Sequence, residues 1–95
     1  MNNVSLPIAR FRLGRIVATP NALEHLTQED ILRGIQRHQA GDWGDVDEHD
    51  WQANDRSLTR GTRLVSVYHS KQGTKFWLIT EADRRLTTVL LPEDY

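Results

Sequence analysis

The sequence predicts an α+β domain, with three short helices packed on one face of an antiparallel sheet of about four strands. Two observations carry this. First, three runs rich in β-branched, aromatic and aliphatic residues (62–69, 74–81 and 86–91) are separated by the four-residue breaks Ser-Lys-Gln-Gly and Ala-Asp-Arg-Arg. That is the pattern of two successive hairpins, hence of a three-stranded meander. Second, a run at 11–18, apolar and polar by turns before becoming continuously apolar, suits a further N-terminal strand, and the residues between it and the meander carry three helix starts.

Taken in order, Gly14 within the first strand marks a bulge or a close backbone approach. Thr19-Pro20 has the form of an N-cap followed by proline at the first helical position, where its missing N–H costs nothing, and opens a short helix over 20–26. Thr27, with Asp30 three residues on, resembles a capping box and opens a second helix over 28–39 that stops at Gly41. Its apolar stripe is Ile31, Leu32 and Ile35, and it continues through His38. Asp47 is the N-cap expected for a third helix over 48–60, ended by Gly61, with Val46 placed to staple against Trp51. In the meander, Phe76 and Leu78 point to one side and Trp77 and Ile79 to the other, so both faces of the central strand are apolar. Three short helices cover one face; the N-terminal segment, another copy or a partner must meet the second.

The chain has 95 residues, 38% of them hydrophobic, enough for one small domain and one core. Its first nine residues are expected to be loose. With 12 basic and 13 acidic residues the formal charge is -1, which lacks the basic excess of a dedicated nucleic-acid binder; nucleic acid is not the favoured partner. The absence of cysteine excludes disulfides and thiolate metal sites and makes a cytoplasmic protein the natural expectation. The N-terminus carries no long apolar run, so neither a signal peptide nor a membrane span is expected.

Three constellations carry possible chemistry. His38, followed by Gly41-Asp42-Trp43-Gly44, is either a catalytic imidazole at a helix end or a histidine bonded to the helix's own carbonyls. The five acids between Asp42 and Asp50 have the oxygen ligands of a hard-cation site without the spacing of an EF-hand; a solvated helix start accounts for them, and neither a metal nor a cofactor is expected. At the last hairpin tip, Arg84 and Arg85 are placed either to clamp a phosphate or carboxylate or to pair with Glu81 and Asp83.

The segments L-G-R-I-V-A-T-P-N-A-L, H-x-x-G-D-W-G-D and W-L-I-T-E-A-D-R-x-x-T-T-V-L-L-P-E-D-Y resemble those of a family of small bacterial proteins described as plasmid-related, found among plasmid, phage and genomic-island genes. The resemblance spans 13–95 and implies a genetic context, an accessory role near defence or counter-defence functions, without a settled activity. A looser likeness, in element order alone, is to RelE-like and BrnT-like toxins, which cleave RNA on an antiparallel meander. Two expectations follow. The leading one is a non-catalytic protein that binds a protein partner or forms a homodimer, with Trp43, Trp77, Ile79, Tyr68 and Val89 as contacts and Arg84 and Arg85 as polar rim. The alternative is a metal-independent ribonuclease, with His38 as general acid or base, Arg84 or Arg85 stabilising the phosphorane, and Tyr68 or Thr88 orienting.

Overall fold

The structure, a computed structural model, describes residues 8–95; the expected looseness of the first nine residues falls, for residues 1–7, outside the described part. The elements follow as β1 (Arg15–Ala18), α1 (Pro20–His25), α2 (Gln28–Gln39), α3 (Glu48–Arg60), β2 (Leu64–His69), β3 (Lys75–Thr80), β4 (Leu86–Leu90) and a final 3-10 turn (Pro92–Asp94). Each helix begins as its cap dictates. Thr19 Oγ1 accepts from the Ala22 N–H, Thr27 and Asp30 close a reciprocal capping box, and Asp47 accepts from the Asp50 N–H. α3 ends on Gly61, whose left-handed φ of 69° a side chain would strain.

The strands form one sheet in the order β1-β4-β3-β2. The meander β2-β3-β4 is antiparallel, whereas β1 runs parallel to β4, so the sheet is mixed rather than antiparallel throughout. Between β1 and β4 the chain passes through three helices and two strands, so no tight turn fixes their relative direction. What fixes it is contact: a Cβ on Gly14 would stand 2.3 Å from the Arg85 carbonyl carbon, and only glycine, at φ 65°, lets the backbones approach so closely.

Register sorts the side chains. Leu64, Ser66 and Tyr68 stand opposite Thr80, Leu78 and Phe76, and Leu78 stands opposite Val89, so all share one face. α1 and α2 cover that face. Ala22, Leu26, Tyr68, Phe76, Leu78, Val89 and Leu91 form the core, with Ala18, Ile31 and Ile35 packed against it. Each large side chain so buried is worth about 1.5–3 kcal/mol. α2 sits close because Gly34 has no Cβ; one would lie 2.9 Å from the Phe76 ring. Leu32, expected on the buried stripe, is instead 54% exposed, because Gly34 rather than Leu32 faces the sheet.

α3 takes a different position, along the outer edge of β2. The Asn54 carboxamide donates to the Val65 C=O at 2.8 Å and accepts from the Val65 N–H at 3.1 Å, as a neighbouring strand would. Beside it, the Trp43 C=O accepts from the Val67 N–H and the Asp45 N–H donates to the Val67 C=O, a single parallel bridge at Gly44. The unpaired edge that a terminal strand would expose is thereby closed. On the second face, Ile79 and Leu90 are buried and Val65, Val67 and Trp77 half-buried, with Tyr95 edge-on to Trp77 at 5.6 Å. No helix among the described residues is long and apolar enough to cross a membrane.

Candidate functional site

His38 lies in the last turn of α2, fully buried, with its ring between Phe11 and Trp43 at centroid distances of 5.1 and 5.7 Å. Both ring nitrogens are engaged, Nδ1 with Ser66 Oγ at 2.5 Å and Nε2 with Thr80 Oγ1 at 2.8 Å. Thr80 Oγ1 in turn meets Thr87 Oγ1 at 2.7 Å, and Thr87 Oγ1 donates to the Leu13 C=O at 2.7 Å. A carbonyl can only accept, so the order of protons along the file is set from that end. Thr87 spends its hydrogen on Leu13, Thr80 donates to Thr87, His38 donates from Nε2 to Thr80, and Ser66 donates to Nδ1. In its neutral form the imidazole is therefore the Nε2–H tautomer. Burial, with a smaller contribution from the nearby Arg84 charge, pushes its pKa down to about 3. The ring bonds to strand hydroxyls, not to its own helix carbonyls, and no opening among the described residues reaches it.

Arg84 is spent on carbonyls. Its guanidinium donates to the C=O groups of Thr62, Glu81, Ala82 and Ser57 at 2.7–3.3 Å, joining the last hairpin to the end of α3, and the residue holds a left-handed φ of 61°. It thus pairs with backbone rather than with the Glu81 carboxylate, which stands 3.5 Å from Arg63. Arg85 is exposed, 4.0 Å from the Asp83 carboxylate.

Several residues expected at a contact surface lie inside. Tyr68 and Val89 sit beneath the helices, because register places them with Phe76 and Leu78 rather than with Trp77. The Tyr68 hydroxyl donates to the Asp42 C=O at 2.6 Å, and burial pushes its pKa up. Trp43 is fully buried against Phe11 and His38, with its Nε1 donating to Asp55. Thr88 and Ile79 pair across β4 and β3 on the second face, opposite the side that holds His38. Among the described residues, the set expected for a ribonuclease, His38 with Arg84 or Arg85 and Tyr68 or Thr88, is therefore not assembled around any common opening. Of the expected contacts, Trp77 alone is half-buried on the second face, and its Nε1 is the one buried side-chain nitrogen or oxygen without a hydrogen-bond partner among the described residues.

The acids of the loop are largely engaged. Asp42 pairs with Arg37 at 2.7 Å, which holds its carboxyl below the usual range, and Asp47 starts α3. Asp47, His49 and Asp50 bring ligand atoms within 4.8 Å of one another but are all exposed, as at a solvated helix start.

A groove lies between α3 and the second sheet face. It encloses about 430 Å³; Val65, Val67 and Trp77 form its floor and Val46, Ala53 and Ser57 its wall, with Asp50 and Arg63 toward opposite ends of α3. Sequence reasoning placed Trp77 on the uncovered sheet face and gave no part to Ala53, Asn54 and Ser57. The signal available was a helix face of small and amide residues, narrow enough to lie against a strand edge.

Comparison with protein families finds no matching family model, and comparison with curated proteins and with solved structures finds no match.

Proposed function

We propose that this chain is a non-catalytic protein-binding module, in the accessory mobile-element setting its sequence motifs imply, and that it takes a protein partner in the groove between α3 and the second sheet face. The observation that carries this reading is the groove itself, whose apolar floor lies on the face left uncovered by α1 and α2. Its volume, within the ~300–1,000 Å³ of pockets that hold small molecules, would accept one or two apolar side chains of a partner. Asp50 at one end of the wall favours a partner with a basic residue beside its apolar one, the Arg63 charge at the other end being met by Glu81 at 3.5 Å, since rim charges select partners and orient them. The sealed, neutral state of His38 favours binding over proton transfer.

A peptide library displayed on phage and selected against the purified chain tests this, with Ala53→Arg as the counter-target. Ala53 is half-buried on a helix, where arginine is well tolerated, so the variant fills the groove without disturbing the core. The expected result is enrichment of peptides joining apolar and basic residues, bound at least about tenfold more weakly by the variant. Peptides that bind both forms equally would overturn the assignment. So would a dimer, seen by light scattering, that Ala53→Arg disperses, because the groove would then be filled by a second copy.

A further inference from the structure

The parallel docking of β1 on β4 brings together arginines that are far apart in sequence. Arg12, Gly14, Asp83, Arg84 and Arg85 line an open cleft of about 350 Å³. Gly14 makes the cleft possible, because any Cβ there would collide with the Arg84 and Arg85 carbonyls at 2.3–2.6 Å and push the two segments apart. The Arg15 N–H donates to the Arg85 C=O at 2.9 Å, so β1 holds its side of the cleft in fixed register. Arg84 contributes chiefly charge, both of its terminal nitrogens donating to carbonyls. Arg12 and Arg85 are exposed and, among the described residues, keep their forks of N–H donors, and the sole acid in the lining among those residues is Asp83. Its Oδ1 accepts from the Arg85 N–H at 3.0 Å, and its other oxygen stands 4.0 Å from the Arg85 Nε, too far for a good hydrogen bond.

We propose that this cleft is an anion site for a phosphate group, with Arg12 and Arg85 as its two guanidinium ligands. Planar guanidinium forks match phosphate oxygens two at a time, and two of them converging from separate segments surround a tetrahedral anion as one cannot. The site lies apart from the groove on α3 and goes beyond the protein-binding reading. The phosphate is either free, as inorganic phosphate or a small monoester, or part of a polynucleotide backbone.

Titration of the 15N-labelled chain with inorganic phosphate, at ionic strength held constant with sodium chloride, tests the proposal by NMR. Saturable shifts are expected at the amides of Gly14 and Arg85 and at the arginine Nε–H signals. Arg12→Gln and Arg85→Gln should each weaken binding by about tenfold, the loss of one charge-assisted contact. Asp83→Asn keeps the oxygen that accepts from the Arg85 N–H but removes the competing charge, and should tighten binding by about fivefold, as one charge about 4 Å away in water implies. No saturable shift, shifts that persist in the Arg12→Gln/Arg85→Gln double variant, or weaker binding in Asp83→Asn would overturn the proposal. Both arginines are exposed, and retention of the remaining amide spectrum shows that the variants are folded. A short oligothymidylate then separates the two sources. Displacement of phosphate at the same signals assigns the site to a nucleic-acid backbone, and unchanged phosphate signals assign it to a free phosphate.

Discussion

Lowering the pH from 7 to 5 should destabilise this protein through His38. In the unfolded chain the imidazole titrates near its ordinary value of 6.5, while in the fold burial holds it neutral down to about 3. Below pH 6.5 the unfolded state thus binds a proton that the native state refuses, and stability must fall as the pH falls, by up to about 1.4 kcal/mol per pH unit. The contribution is complete above 6.5 and is lost progressively between 6.5 and about 3. At pH 5 the loss is about 2 kcal/mol, or a fall in melting temperature of roughly 8–16 °C for a domain of this size. Thermal unfolding at pH 7, 6 and 5, followed by circular dichroism, gives the wild-type slope. The same series on His38→Gln, which places a neutral amide in the relay, gives the slope without the imidazole. Carboxylates held low, such as Asp42 beside Arg37, act in both proteins and cancel in the comparison. Equal slopes in the two proteins between pH 6.5 and 5 would refute the buried, neutral state assigned to His38.

Three substitutions probe the fold around the site. Thr80→Val keeps the shape of the side chain but leaves the His38 Nε2–H buried without an acceptor; urea denaturation should show a loss of about 2 kcal/mol with an unchanged m-value. Asn54→Leu strips both partners from the Val65 backbone, with an expected loss of roughly 2–4 kcal/mol and faster hydrogen exchange at the Val65 amide. Gly34→Ala gains helix propensity but drives a methyl group to within 2.9 Å of the buried Phe76 ring; the net effect expected in the same urea assay is a loss of about 1 kcal/mol.

The elements were legible because their signals are local. Thr19, Thr27 and Asp47 cap the helices from within three residues, and Gly61 ends α3 through its own backbone. What escaped the sequence was what depends on pairing across distance. Tyr68 stands opposite Phe76 and not Trp77, and since a strand's side chains alternate, a register one residue different would have put it on the second face. β1 runs parallel to β4 through a contact at Gly14 that no turn announces. At the site, His38 was recognised as turned toward the core, but Ser66, Thr80 and Thr87 read along the chain as ordinary strand residues. Only the assembled sheet places their hydroxyls within reach of the ring. Arg84 was singled out by its charge, whereas its role is set by four carbonyls from two separate segments.

The file of hydroxyls that ends on the Leu13 carbonyl has a kinetic consequence. Its last bond joins residues 74 positions apart, and its other links draw on α2, β2, β3 and β4, so it closes only after the N-terminal segment has reached the finished meander. Contacts completed after the transition state leave the folding rate nearly untouched and instead set how fast the native state comes apart. In stopped-flow chevrons the cost of Thr87→Val, which removes the donor to the Leu13 carbonyl, should therefore fall on the unfolding limb. The Thr87 hydroxyl then acts as a late latch, retaining the N-terminal segment on the sheet for longer without hastening its arrival.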